Sequence, residues 1–193
     1  MPRYGIGFSE ATLRQLREVV ADATRSTKET VTERSWIGDQ INQLCATYAL
    51  PWRQLEGNGR WQAGNMPPPM GTPIYVTMED LREFRLAPSE EGFALALGEK
   101  TVARIERAVA MTAARNKVLG AGAAQPWATA NEWLEMNLTD RIAQARAQLD
   151  MKEMMDEQKA QQMEDQIQAE RQRRLAESLG PEARRKAERT AEA

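Results

Sequence analysis

The sequence predicts a mainly α protein: a helical domain carrying a Pro/Gly-rich loop or small β arm, followed by a long C-terminal helix. Three observations predict it. Apolar residues recur at helical spacing before residue 51 and after residue 77. Gly, Pro and Asn crowd the segment between. After Pro126, no Gly or Pro interrupts the chain until Gly180.

Taken in order, Ser9 is placed to N-cap a first helix, with Leu13, Leu16, Val20 and Ala23 on one face. "STKE", Ser26–Glu29, has the form of a capping box and predicts the start of a second helix. Its buried stripe is Ile37, Ile41, Leu44 and Tyr48, with Cys45 beside it, and Pro51 ends the run. Gly57-Asn58-Gly59 suits the turn of a small hairpin whose arms carry Trp52, Leu55 and Trp61. Pro67-Pro68-Pro69 favours polyproline II, and Ile74–Val76 is the strand candidate, so β structure is expected only within residues 51–77.

Thr77, with Asp80 completing the box, caps a short helix through about Phe84. "APSEEG" breaks the chain again before a third long helix, Glu99 to Leu119, with Val102, Ile105, Val109 and Thr112 on its stripe. The small-residue run Gly120–Pro126 divides a helical domain, 1–122, from a second region, 123–193. That region is a helix over about 126–179 and a charged tail, with Pro126 in the first helical turn. Trp127, Leu134, Leu138, Ile142, Ala145 and Leu149 form its stripe. Past Met155 the stripe thins to Ala160, Met163 and Ile167, while Leu175 and Leu179 drift round the helix. Gly180-Pro181 is the stop, and Trp36 and Trp133 are expected in the helical core.

The 193 residues, 41% hydrophobic and 28% charged, suit one medium domain or a small domain with an extension. No apolar run approaches the roughly 20 residues that cross a bilayer. A net charge of −2 gives no global attraction to nucleic acid, so such contact needs a local patch. The chain has no histidine, which rules out Ser-His-Asp and Cys-His catalysis within it and removes the commonest transition-metal ligand. Carboxylate, lysine and magnesium chemistry stay open. Cys45 is the single cysteine, so no internal disulfide forms; beside an apolar stripe it reads as a buried structural thiol. Glu90-Glu91, Asp156-Glu157 and Glu164-Asp165 are adjacent pairs. On a helix, neighbours point about 100° apart and seldom converge on one ion. "GNGR" lacks the length and the Lys-Ser/Thr of a P-loop and reads as a turn. No catalytic residue, metal site or cofactor is therefore expected.

Two stretches are candidates for binding a partner. Trp52, Trp61, Met66, Met70 and Tyr75 lie where local core is scarce, and aromatics and methionines there suit interface anchors. The alternative is a loop folded back over the helices. Met163, Ile167, Arg171, Arg173 and Arg174 are the second group, in a helix too sparse in apolar residues to dock firmly on its own domain. Charge is segregated along it. Residues 150–170 carry Asp150, Glu153, Asp156, Glu157, Glu164, Asp165 and Glu170 against Lys152 and Lys159. Residues 171–193 carry Arg171, Arg173, Arg174, Arg184, Arg185, Lys186 and Arg189 against four acids. Such a pattern sets register between staggered or antiparallel neighbours, as in coiled coils. Nucleic acid can be gripped through the basic stretch, but interleaved acids and the lack of nearby aromatics favour a protein partner or solvent.

The N-terminal amphipathic helices, the "NMPPPMGTPIYV" arm and the "QKAQQMEDQIQAERQRRLAESLG" helix together resemble small virion proteins of tailed bacteriophages, of the connector, internal virion or scaffolding type. The resemblance is one of texture over most of the chain and rests on no specific motif. It implies an oligomeric structural role with other protein subunits, no cofactor and no catalytic residues, in the virion or host cytoplasm. "MPRYGIGFSEATLRQL" accordingly lacks the uninterrupted apolar segment of a secretory signal. The alternative is a nucleic-acid-binding packaging protein similar to a small terminase subunit, against which residues 9–48 show no clear basic recognition helix.

Overall fold

A computed structural model describes residues 2–48, 52–55, 60–63, 75–76, 78–118, 126–178 and 180. The chain is mainly helical, with α1 (Glu10–Thr27), α2 (Glu33–Tyr48), α3 (Met78–Glu83), α4 (Glu99–Val118) and α5 (Ala130–Ser178). The strands are β1 (Arg3–Ile6), β2 (Trp52–Leu55), β3 (Arg60–Ala63), β4 (Tyr75–Val76) and β5 (Phe93–Ala96). Two compact units divide the chain, Met1–Arg146 and Ala147–Ala193.

In the first unit, Ser9 caps α1 as expected, its hydroxyl accepting from the Thr12 backbone N–H at 3.1 Å. Leu16 and Val20 are buried, joined by Thr12 and Val19, whereas Leu13 and Ala23 are only half-buried. Ser26 does not open a helix. It lies inside α1, which ends at Lys28 in the left-handed conformation (φ 60°), where the Lys28 N–H donates to the Thr24 carbonyl. The reciprocal box forms instead at Thr32 and Ser35. The Ser35 N–H donates to the Thr32 hydroxyl at 3.1 Å, and the Thr32 N–H donates to the Ser35 hydroxyl at 2.9 Å. Thr24 makes this placement possible: its hydroxyl bonds both the N–H and the carbonyl of Val31 at 3.3 Å, fixing the link between α1 and α2. Ile37, Ile41, Leu44 and Cys45 of α2 then enter the core.

β structure is not confined to residues 51–77, contrary to the sequence expectation. β1 pairs antiparallel with β5, with Arg3 opposite Ala96 and Ile6 opposite Phe93. Tyr4 and Ile6 are buried on one strand, and Leu95 on the other, with Leu97 just beyond it. Four residues per strand are too few to show a clear two-residue period, and the Ala and Leu of "FALAL" are equally at home in a helix. The second sheet has the order β2-β3-β4. β2 and β3 pair antiparallel from Trp52–Ala63 to Leu55–Arg60, and Trp61 of β3 lies opposite Val76 of β4. The Gly57–Gly59 turn, the Pro67–Pro69 stretch, the Thr77 cap, the Gly120–Gln125 part of the linker and the charged tail beyond Gly180 lie outside the described residues.

α4 is the centre of the first unit. Ile105, Ala108, Val109, Ala110, Met111, Ala113 and Ala114 are all buried, so apolar atoms face several sides at once, and the alanines let neighbouring elements approach closely. α5 begins at Ala130 rather than near Pro126. Thr129 supplies the cap, its hydroxyl accepting from the Glu132 N–H at 3.2 Å, while the Glu132 carboxylate reaches back to the Ala128 N–H at 2.6 Å. Trp127 precedes the helix but is buried, edge-on to Phe84 at 5.6 Å. Trp133, Leu134, Leu138 and Ile142 complete the core, with Trp36 half-buried against it. Polar ties fix α5 within this unit. Asn131 both accepts from the Ala87 N–H and donates to its carbonyl, Arg141 donates to Gln43, and Arg146 pairs with Glu18 at 2.7 Å.

Cys45, 1% exposed, sits in this core, and burial pushes its thiol above the ordinary range, only partly offset by the Arg104 guanidinium. Maleimide labelling of the folded chain is therefore expected to proceed only as fast as the core opens, and to become immediate in denaturant. Rapid labelling under native conditions would contradict this placement.

Candidate protein-binding interface

Beyond Arg146 the environment of α5 changes while its backbone does not. Every described side chain from Met151 to Leu175 is exposed. The large apolar ones include Met163 at 64%, Ile167 at 50% and Leu175 at 64%. From Ile142, steps of seven, eleven, three and four residues lead to Leu149, Ala160, Met163 and Ile167, each returning near the same side of a helix with 3.6 residues per turn. The azimuth that is buried at Leu138 and Ile142 thus carries solvent-facing apolar residues in the second unit.

A shallow groove along this side is lined by Met163, Gln166, Ile167, Glu170, Arg171 and Arg174. It gathers four of the positions singled out from the sequence, Met163, Ile167, Arg171 and Arg174. Arg173 is not among the lining residues; it stands about 120° round the helix from Ile167 and is paired with Glu177. The helix in this unit is held by local pairs: Lys159 with Asp156, Gln161 with Asp165, Arg174 with Glu170 at 3.0 Å and Arg173 with Glu177 at 3.0 Å. Pairs of this kind contribute about 0.2–0.5 kcal/mol each to a helix, enough to bias it and too little to replace a buried face.

Sequence reasoning overlooked a second apolar patch. Met151, Met154 and Met155 are 60%, 54% and 48% exposed, at i, i+3 and i+4. That spacing was the available signal, and it places them on a different side from Met163 and Ile167.

The other candidate group is only partly placed. Trp52, Trp61 and Tyr75 are strand residues of β2, β3 and β4, whereas Met66 and Met70 lie outside the described residues. Among the described residues, no three His, Cys, Asp or Glu side chains gather as for a metal ion, and no helix is long and apolar enough to cross a membrane. Comparison with protein-family models, with curated proteins and with solved structures gives no match.

Proposed function

We propose that this protein is a non-enzymatic structural subunit of a larger assembly, with α5 beyond Arg146 as the surface that meets other protein subunits. The observation that carries the reading is that Met163 and Ile167, exposed, continue the buried stripe of the same helix. Each such side chain offers about 1.5–3 kcal/mol if a neighbour covers it, a gain the helix does not realise alone. The resemblance to tailed-phage connector, internal virion and scaffolding proteins makes a virion the assembly of choice. Packaging of nucleic acid through the basic stretch is the weaker reading, since Arg173 and Arg174 are each engaged by a carboxylate.

Hydrogen exchange on the full chain, with its mass followed in parallel, tests the proposal. In a dilute monomer the amides of 151–175 are expected to exchange fast while those of 134–146 stay protected. Association with copies or other subunits is expected to slow the former. Strong protection of 151–175 in a verified monomer would show that the helix needs no neighbour and would overturn the reading.

A further inference from the structure

Resting on that assembly role, we infer that the Met163–Ile167 face of α5 pairs antiparallel with the same face of a second copy of this chain. The order of charges along the face points to this occupant. At one edge, at intervals of seven residues, stand Glu157, Glu164 and Arg171; along the middle, at the same interval, stand Ala160, Ile167 and Arg174. Along the edge row the sign therefore reverses between the two ends, while Glu170, beside the middle row, is answered by Arg174 of its own helix. An edge of this kind is complementary to itself after a two-fold rotation across the helix axis.

Parallel pairing fails on the same pattern. It sets Glu170 against Glu170 and Arg174 against Arg174 in the middle of the contact, where charge is desolvated. Edge pairs open to a parallel dimer, such as Lys159 with Glu164, sit at the rim and are screened. With the two-fold axis near Gln168, antiparallel pairing instead sets Glu164 of each copy across from Arg171 of the other, twice per dimer. The Met163 side chain then lies along the alkyl stem of Arg174, which remains tied to Glu170 in its own helix. The two Ile167 side chains come together close to the axis.

Sedimentation equilibrium of the full chain is the test, with helix content monitored by circular dichroism. Glu164→Arg and Arg171→Glu, both exposed positions, are each expected to weaken dimerisation about tenfold, because each removes two ion pairs and creates two like-charge contacts. The double variant Glu164→Arg/Arg171→Glu restores the pairs with reversed sign and is expected to return to within about threefold of the natural affinity. In a parallel dimer the same double variant stays weak, since the guanidinium introduced at position 164 then meets Lys159. Failure of the swap to restore the dimer overturns the antiparallel register. A chain that stays monomeric at about 100 µM overturns self-pairing altogether. If that monomer still gains protection over 151–175 with a different protein, the assembly role survives without this inference.

Discussion

Replacing Trp133 by Ala is expected to destabilise the chain by about 3–5 kcal/mol. Trp133 is 1% exposed and heads the fully buried side chains by volume. It stands in the first turn of α5, beside Leu134 and in the same core as Ile105 and Leu138. The substitution removes the indole's transfer free energy and leaves a cavity that the surrounding close-packed core closes only in part. Urea unfolding followed by circular dichroism should show a lower midpoint with an unchanged slope. Met163→Ala on the same helix is the control, expected to change monomer stability by no more than about 0.5 kcal/mol because that side chain is mostly exposed. Equal effects at the two positions would contradict the division of α5 into a packed and a solvent-facing part.

Gly5→Ala is expected to cost about 3 kcal/mol or more, for a different reason. A Cβ on Gly5 would collide with the backbone carbonyl of Glu91, and backbone, unlike a long side chain, cannot swing aside. The collision falls on the antiparallel pairing of β1 with β5, where Gly5 lies opposite Ala94. Gly92 meets a related constraint, with φ at +85° and the Ile6 carbonyl in the way of any Cβ. A chain of this size loses roughly 2–4 °C of melting temperature per kcal/mol, so Gly5→Ala should melt about 6–12 °C below the natural protein. Gly38→Ala provides the opposite outcome. A Cβ there meets nothing within 4 Å in the interior of α2, and stability should rise by about 0.5–1 kcal/mol. A Gly5→Ala melt indistinguishable from the natural one would sink the β1–β5 pairing.

Long periodic elements were legible because a helix writes its burial into spacing. Ile37, Ile41 and Leu44, or Leu134, Leu138 and Ile142, are readable from a single turn-by-turn recurrence, and the stop at Gly180 follows from backbone preference alone. Caps were legible as chemistry and less so as positions. "STKE" has the Ser/Thr-x-x-Glu form of a box whereas "TERS" ends in Ser35, and it is the αL turn at Lys28, with the Thr24–Val31 bonds, that puts the cap at Thr32 instead. The β1–β5 pair was invisible because its stability is non-local: neither four-residue strand means anything until the chain brings residue 5 and residue 94 together.

The sequence by itself determined that this protein is helical on both sides of residues 51–77, that it lacks histidine chemistry, and that the apolar stripe of its last helix weakens past Met155. Those properties follow from composition and from a period that any stretch of chain carries within itself. Tertiary structure decided which parts of that stripe are covered. Leu138 and Ile142 meet the core built around α4, whereas Met163 and Ile167, at the same azimuth, stand in solvent. Spacing fixes the direction in which a side chain points; burial depends on what else occupies that direction, and the rest of the fold supplies it.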